Sequence, residues 1–552
     1  MKKAISFLSF QSSHQTMIYG LFMVISIAYL VNFHVNDIWT PNESFYAEAV
    51  REMFESGNFL DINYNYEARY NKPPLTYWMM AISSGILGLS EFSLRLPIVL
   101  LGLGSILLTY LLGKKLFGEK EGLYAMLLVA FTIQYLAVKQ YASPEMPLTF
   151  FFTLTIYWFY VGFKENRSSY LILSYLALGL TTLTKGFPYI IVIGGIIGLY
   201  LLLSGEFKWI RIWSDVKRLK LHIGIPLTLI IGLSWVIFMY LKDGQTFWDI
   251  YYTETFGRAL SKESKGLKPF FYLEVLSWSV IPCTLAFIYA LVYHARHKAL
   301  RKEVILPASW LAVMLVIFTT AKGKLPTYMI QAHPAVILII VPLLTKAHLI
   351  GISRIIWNAS FYIIAFGLLA GNFLAIDFFG LSIGYYILPL ASLSVLIILF
   401  WQKNHLESNR IVGSVFWTGF FLAFTFALFL PSLEKIRPYD EIGEAINQNS
   451  DVNQDTPLYI EGTLIHNLPF YAKRRVERDA TIEEINSHSN KTLALIRKEN
   501  SNGILGEYDV LWEDYIYDFP SESQFFKFVR ASKQASNGDF SKFAKYQLIL
   551  KR

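Results

Sequence analysis

The sequence predicts a polytopic α-helical membrane protein of about 13 transmembrane helices followed by a C-terminal α/β extracytoplasmic domain, and three observations predict it. Hydrophobic residues fill 54% of the 552 positions and charged residues only 16%, against roughly 25% charged in soluble domains. Apolar runs that match a bilayer core of about 30 Å recur along the first 430 residues. Charge is also partitioned, because residues 1–430 hold 55 of the 90 Asp, Glu, Lys and Arg while residues 431–552 hold 35 in 122 positions. Residues 1–430 therefore read as the transmembrane domain, with a long outer loop at 35–93, and 431–552 as a soluble α/β domain.

The apolar runs lie near 17–34, 94–113, 122–138, 146–163, 170–184, 187–203, 221–241, 271–293, 304–320, 327–345, 354–377, 384–401 and 412–430. A further run, 76–89, is short and set in a polar loop, which suits an interfacial or re-entrant segment. Lys2 and Lys3 precede the first run as in a signal peptide, but no small-residue cleavage site follows, so the run is expected to stay as an anchor. With the N-terminus inside, the inner segments carry 20 Lys and Arg against 12 in the outer loops, which puts the tail outside. The net charge of +8 is dispersed among short loops instead of gathered on one face, which argues against nucleic acid. The single cysteine, Cys283, excludes an intrachain disulfide and a cysteine-based metal cluster.

Loop 35–93 opens with an amphipathic helix. Thr40 suits the N-cap, Pro41 the first helical position, Glu43 a capping box and Gly57 the C-terminus. Phe45, Ala49 and Met53, with Tyr46, Val50 and Phe54, form an apolar side that suits the membrane surface. Glu43 is either a capping carboxylate or a reactive one. Lys72 precedes two prolines and cannot continue a helix; its ammonium meets either lipid headgroups or a bound anion. Lys185 sits in a two-residue turn between apolar runs, where a cation needs an anionic partner. Arg258 shares an outer loop with Lys262, Lys265 and Lys268, which is either solvated or functional. Glu145 begins a spanning helix, where the helix dipole favours a carboxylate, and Lys324 and Tyr328 flank the start of another. Together these strings put two carboxylates and several cations at one membrane surface, which suits a substrate bearing a phosphate beside a group that must lose a proton.

The strings also have a familiar order: Tyr46-Ala47-Glu48 and Arg51-Glu52-Met53, Lys72-Pro73-Pro74-Leu75, Glu91-Phe92 with Arg95-Leu96-Pro97, Pro144-Glu145-Met146-Pro147, Leu183-Thr184-Lys185-Gly186, Gly257-Arg258 and Lys324-Leu325-Pro326-Thr327-Tyr328. The chain resembles the bacterial aminoarabinose (4-amino-4-deoxy-L-arabinose) lipid A transferases and their dolichyl-phosphate-mannose-protein mannosyltransferase-like relatives, which are GT-C membrane glycosyltransferases. That resemblance implies transfer of a sugar from undecaprenyl phosphate to lipid A or another periplasmic acceptor at the outer face of the bacterial inner membrane, with membrane lipids as further partners. It puts donor-phosphate binding on Lys72, Lys185 and Arg258 and further substrate binding on Lys324 and Tyr328. Two departures stand out: the family's first-loop Asp-Glu pair is Asn42-Glu43 here, and its Asp before the fourth span is Glu145. With the Asp replaced, either Glu43 takes the base role or Asn42 only positions substrate; Glu43 is expected to be the base, with Glu145 orienting acceptor or sugar. The cationic set would stabilise an anionic leaving group, giving inversion at C1 with no cofactor required. The resemblance leaves room for a divalent metal ion, but no histidine pair has metal-binding spacing in the outer loops, so no metal ligand is assigned.

In the tail, Leu458–Ile460, Leu493–Ile496 and Tyr546–Leu550 read as strands and Tyr439–Asn449 as a helix. Tyr459, Phe470 and Tyr471 are either core residues or acceptor contacts. The competing readings are a protein O-mannosyltransferase-like enzyme, a polytopic transporter or lipid flippase, and a noncatalytic relative marked by Asn42. The transporter reading is weakened by the lack of internal repeats in the sequence.

Overall fold

The computed structural model of the chain describes residues 2–552 except 254–256, 258–268, 348, 402–405, 463–464, 489 and 518–524. Helices occupy all of the predicted apolar runs. Among the described residues, seven are long and apolar enough to cross a membrane, and an eighth span arises if the pair Phe271–Ser279 and Thr284–Arg296, bent by 119°, counts as one. The other runs form shorter or more polar helices, such as Pro188–Ser204 and Ile305–Thr320, packed among the long ones. The lipid-facing surface of the long helices is apolar, with Ile230, Leu241, Ile363 and Ile387 exposed, as expected where hydrocarbon replaces water. The chain is a multi-pass membrane protein.

Leu75–Leu87 is a helix of 13 residues, about 20 Å long at 1.5 Å per residue, too short to cross a core of about 30 Å. The first-loop helix runs from Asn42 to Ser56 and ends at Gly57 in the left-handed conformation (φ 67°), as glycine allows. Its start differs from expectation. Pro41 occupies the N-cap with no side-chain cap, and Glu43 closes no capping box because its carboxylate turns inward. The helix is also not a surface helix, since nearly every side chain from Glu43 to Met53 is buried. Tyr46 stacks on Tyr77 at 4.8 Å, and Phe45 meets Tyr64 and His466 on the other side.

The first loop adds a two-stranded ladder, β1 (Asn63–Tyr64) with β2 (Glu67–Ala68). The tail carries five strands: β3 (Leu458–Glu461), β4 (Val476–Ala480), β5 (Thr492–Arg497), β6 (Tyr508–Tyr517) and β7 (Phe543–Lys551), in the order β4-β3-β5-β7-β6. β3 pairs in parallel with β4 and β5, while β7 is antiparallel to β5 and β6. β5 is central and almost wholly buried, which explains its unbroken apolar run Leu493–Ile496. Tyr459 and Phe470 are buried in apolar clusters. Tyr471 has a further task, because its hydroxyl donates to Glu91 Oε1 at 2.7 Å and accepts from the Ile38 N–H at 2.8 Å.

The sheet region is therefore clamped to the first loop. Arg437 donates to the carbonyls of Asp37 and Ile38, both at 3.1 Å, and lies 4.0 Å from the Trp39 ring centre. Asn65 exchanges two hydrogen bonds with the Val476 backbone at 2.9 and 2.8 Å.

Candidate active site

Two adjoining helices make the centre of the candidate site. Glu145–Lys164 and Ser168–Lys185 are joined by a three-residue turn and pack antiparallel, so the first residue of one lies beside the last of the other. The pair is consistent with the helix dipoles, a carboxylate at an N-terminus and an ammonium at a C-terminus. Lys185 Nζ donates to Glu145 Oε1 at 2.9 Å, and each side chain is only 8% exposed. Gly186 then turns the chain with φ 113°, a conformation that favours glycine, and Pro188 starts the next helix. Lys185 Nζ also lies 5.4 Å from the Tyr328 ring centre. Glu145 Oε2 is buried beside the Ser143 hydroxyl and has no hydrogen-bond partner of ordinary geometry among the described residues. Tyr328, Phe318 and Tyr189 continue from Lys185 as an aromatic wall, with ring centres 5.4 and 6.2 Å apart.

Lys72 approaches from the first loop. Its Nζ donates to the Asn71 carbonyl at 2.8 Å, and the buried Pro73 and Pro74 fix the backbone after it. Two residues before it, Tyr70 packs on Phe247 at 5.2 Å; Phe247 stacks on Tyr251 at 5.5 Å, and Tyr251 Oη comes within 3.6 Å of where a Cβ on Gly186 would lie. The loops of Lys72 and Lys185 thus abut the same aromatic cluster. Phe247 and Tyr251 belong to the helix Leu221–Tyr252, and Arg258, which follows it in the sequence, lies outside the described residues.

Glu43 has a different environment. It is fully buried, and both oxygens are engaged: Arg95 Nε and Nη2 donate at 2.8 Å each, the Ala142 N–H at 2.7 Å and the Trp39 N–H at 2.8 Å. Arg95 uses its other protons on the carbonyls of Asn36 and Asp37. Glu43 and Arg95 therefore tie the first loop to the segment that leads into Glu145. Asn42, next to Glu43, is exposed. Lys324 lies near the Tyr272 ring, 5.9 Å from its centre, while its Nζ donates to the carbonyls of Thr319 and Ala321, the latter of which directly follows the Ile305–Thr320 helix.

Sequence reasoning noted Arg95 only as part of a string and gave it no role, and it missed Lys139, whose Nζ donates to the carbonyls of Ala28 and Tyr29 at the end of the first helix. The only sequence signal was a charge inside or beside a spanning run, which calls for a buried partner. The donor set does not suit a divalent ion. Among the described residues, no three His, Cys, Asp or Glu side chains gather to hold one, and Glu43 and Glu145 already face cations.

Fold and site together define a polytopic membrane protein with buried, partnered charges, Glu145–Lys185 and Glu43–Arg95, at the end of its helices that faces the first loop. The family described as dolichyl-phosphate-mannose-protein mannosyltransferase matches residues 71–238. An uncharacterized protein of Aquifex aeolicus is 30% identical over 510 residues, 92% of this chain and 94% of its own length. The undecaprenyl phosphate-alpha-4-amino-4-deoxy-L-arabinose arabinosyl transferase of Pseudomonas aeruginosa is 25% identical over 319 residues, and the match covers 56% of each chain. The crystal structure of ArnT from Cupriavidus metallidurans bound to undecaprenyl phosphate superposes with a TM-score of 0.73 at 20% identity, covering 90% of this chain and 96% of that one. The chain belongs to one family with the Aquifex aeolicus protein; it is a membrane glycosyltransferase that has the fold of ArnT and is similar to aminoarabinose transferases and, over residues 71–238, to the protein mannosyltransferases.

Proposed function

We propose that the protein transfers a sugar from undecaprenyl phosphate to a hydroxyl or phosphate oxygen of a lipid A-like or other acceptor at the periplasmic face of the inner membrane, with inversion at C1. The supporting observation is the buried Glu145–Lys185 pair against Tyr328, on a fold shared with a protein crystallised with undecaprenyl phosphate. The positive-inside bias supports the orientation.

Lys72, Lys185 and Arg258 hold the donor phosphate, with Tyr328 packing beside it. As the bond from C1 to the phosphate oxygen breaks, its electron pair adds charge to an anion that these cations stabilise in a site poor in water. The leaving phosphate needs no proton. The acceptor oxygen forms the new bond to C1 from the opposite face, and a hydroxyl acceptor gives its proton to a carboxylate. We assign that role to Glu145, because its Oε2 is not held by a hydrogen bond of ordinary geometry among the described residues, whereas both Glu43 oxygens are. Glu43, with both oxygens committed to Arg95 and two backbone N–H groups, is assigned to positioning, and exposed Asn42 to contact with sugar or acceptor. Lys324 braces the turn before Tyr328. The family match at residues 71–238 keeps a protein hydroxyl as the alternative acceptor.

The test is to incubate purified protein with undecaprenyl-phosphate sugars and membrane acceptors and to identify by mass spectrometry the molecule that gains a pentose, hexose or amino-sugar mass. Transfer from a nucleotide sugar with none from any undecaprenyl-phosphate sugar would overturn the assignment.

A further inference from the structure

The helices of the candidate site have opposite ends, and there the chain builds a second polar pocket. Ser168–Lys185 is 18 residues long, so Ser168 lies about 27 Å from Lys185 at 1.5 Å per residue. Glu145–Lys164 and Pro188–Ser204 run the same distance side by side. At this far end a cavity of about 430 Å³ is lined by Asn166, Ser168, Ser214, Lys217, Arg218 and Lys220. Three cations face it, and among the described residues no carboxylate lines it, Asp215 standing beside Arg218.

Arg218 is held in place. Its Nη2 donates to the Phe163 carbonyl at 2.9 Å, its guanidinium lies 4.9 Å from the Phe163 ring centre, and Asp215 stands 3.4 Å from Nη1. Lys217 lies 5.9 Å from the Trp213 ring centre. The lining is thus a preset cationic rim with the two hydroxyls and one amide as neutral donors.

The rim belongs to a short amphipathic helix, Trp209–Arg218. Trp209, Ile210 and Trp213 project from one side of it and are 77%, 90% and 61% exposed, next to the equally exposed Phe207. Large aromatic and aliphatic side chains left bare beside basic residues, at the end of spanning helices, are the pattern of an interfacial helix that lies in the headgroup layer. A free anion would need only the cations. The apolar flank adds a surface for acyl chains, so charge and apolar exposure together specify a lipid.

We propose that this cavity binds the phosphate of an anionic glycerophospholipid, of the phosphatidylglycerol kind, on the membrane face opposite Lys185. Lys217, Arg218 and Lys220 meet the phosphodiester, Ser168, Ser214 and Asn166 meet the headgroup hydroxyls, and Trp209, Ile210 and Trp213 lie along the chains. The site is separate from the donor site, being at the other end of the same helices.

Native mass spectrometry of the full chain, released from equimolar phosphatidylglycerol and phosphatidylethanolamine, tests this. The expected result is retained phosphatidylglycerol, cut about tenfold in the double variant Lys217→Ala/Lys220→Ala and restored in Lys217→Arg/Lys220→Arg, with millimolar inorganic phosphate failing to displace it. Equal retention by the alanine variant, or equal retention of phosphatidylethanolamine by the wild type, overturns the proposal. Displacement by inorganic phosphate also overturns it and marks a free-anion pocket. Should the alanine variant fail to fold, the wild-type lipid preference and the phosphate competition decide the matter alone.

Discussion

At the Glu145 end of the helix bundle, charged groups are buried and matched to partners, whereas the C-terminal sheet carries its ion pairs in water. Arg95 and Glu43 are 1% and 0% exposed; Lys498 and Glu513 are 47% and 25% exposed. The same chemistry has different consequences in the two places. Breaking a buried pair strands a charge and costs about 3–5 kcal/mol, while exposed pairs contribute little. The bundle end therefore uses charge to fix geometry, and the sheet relies on apolar strands for the same purpose.

The largest expected effect follows from that contrast. Arg95→Ala should destabilise the protein by about 3–5 kcal/mol, read as a large fall in Tm in detergent, because Glu43 would keep two backbone donors but lose its cation. A Tm within a degree of wild type would break the comparison. Next come the groups proposed to act on the donor and acceptor. Lys185→Ala and Lys72→Ala should each lower transfer by about 10²–10³-fold in protein that still inserts. Glu145→Gln should lower the rate by a similar factor, whereas Asn42→Ala should lower it less. Near-normal turnover in Glu145→Gln, with loss in a folded Glu43→Gln, would return the base role to Glu43.

A smaller effect is expected at the seam between first loop and sheet. Burial, reinforced by Glu434 and Glu91 and opposed by Arg437, raises the Asp37 carboxyl from 3.8 to about 8. Burial beside Arg69 and Arg478 lowers the His466 imidazole from 6.5 to about 4. Between about 4 and 6.5 the native state binds the extra proton at Asp37 and the unfolded state binds it at His466, so the two slopes oppose each other. Above 6.5 Asp37 is the only one of these two groups that acts, and its contribution to stability falls toward pH 8. Hydrogen exchange of residues 36–40 should accelerate over that window, and Asp37→Asn should flatten it. The smallest effect is at the sheet surface, where Lys498→Ala should leave Tm unchanged.

The same contrast explains what was legible in the sequence. Spans follow from apolar runs, and strands such as Leu493–Ile496 from short apolar stretches between turns; both record which groups leave water. The Glu145–Lys185 contact was half visible, since each residue ends an apolar run joined to its neighbour by a short turn. The partner of Glu43 was not visible. Arg95 lies 52 residues away within a run whose hydrophobicity hides it, and periodicity does not say which charge meets which. The first-loop helix was misplaced for the same reason: its apolar side suggested lipid, but residues of the C-terminal region such as His466, in a turn after β3, lie against it.

Glu43 joins backbone at Trp39 to backbone at Ala142, and Arg437 closes on Asp37 and Ile38 some 400 residues downstream. During synthesis, the first loop therefore emerges long before the segments that secure it. A ribosome stalled ahead of residue 437 would leave that loop unlatched, so the enzyme matures only when nearly the whole chain has been threaded into the bilayer, and unfinished copies present an open loop to proteolytic surveillance.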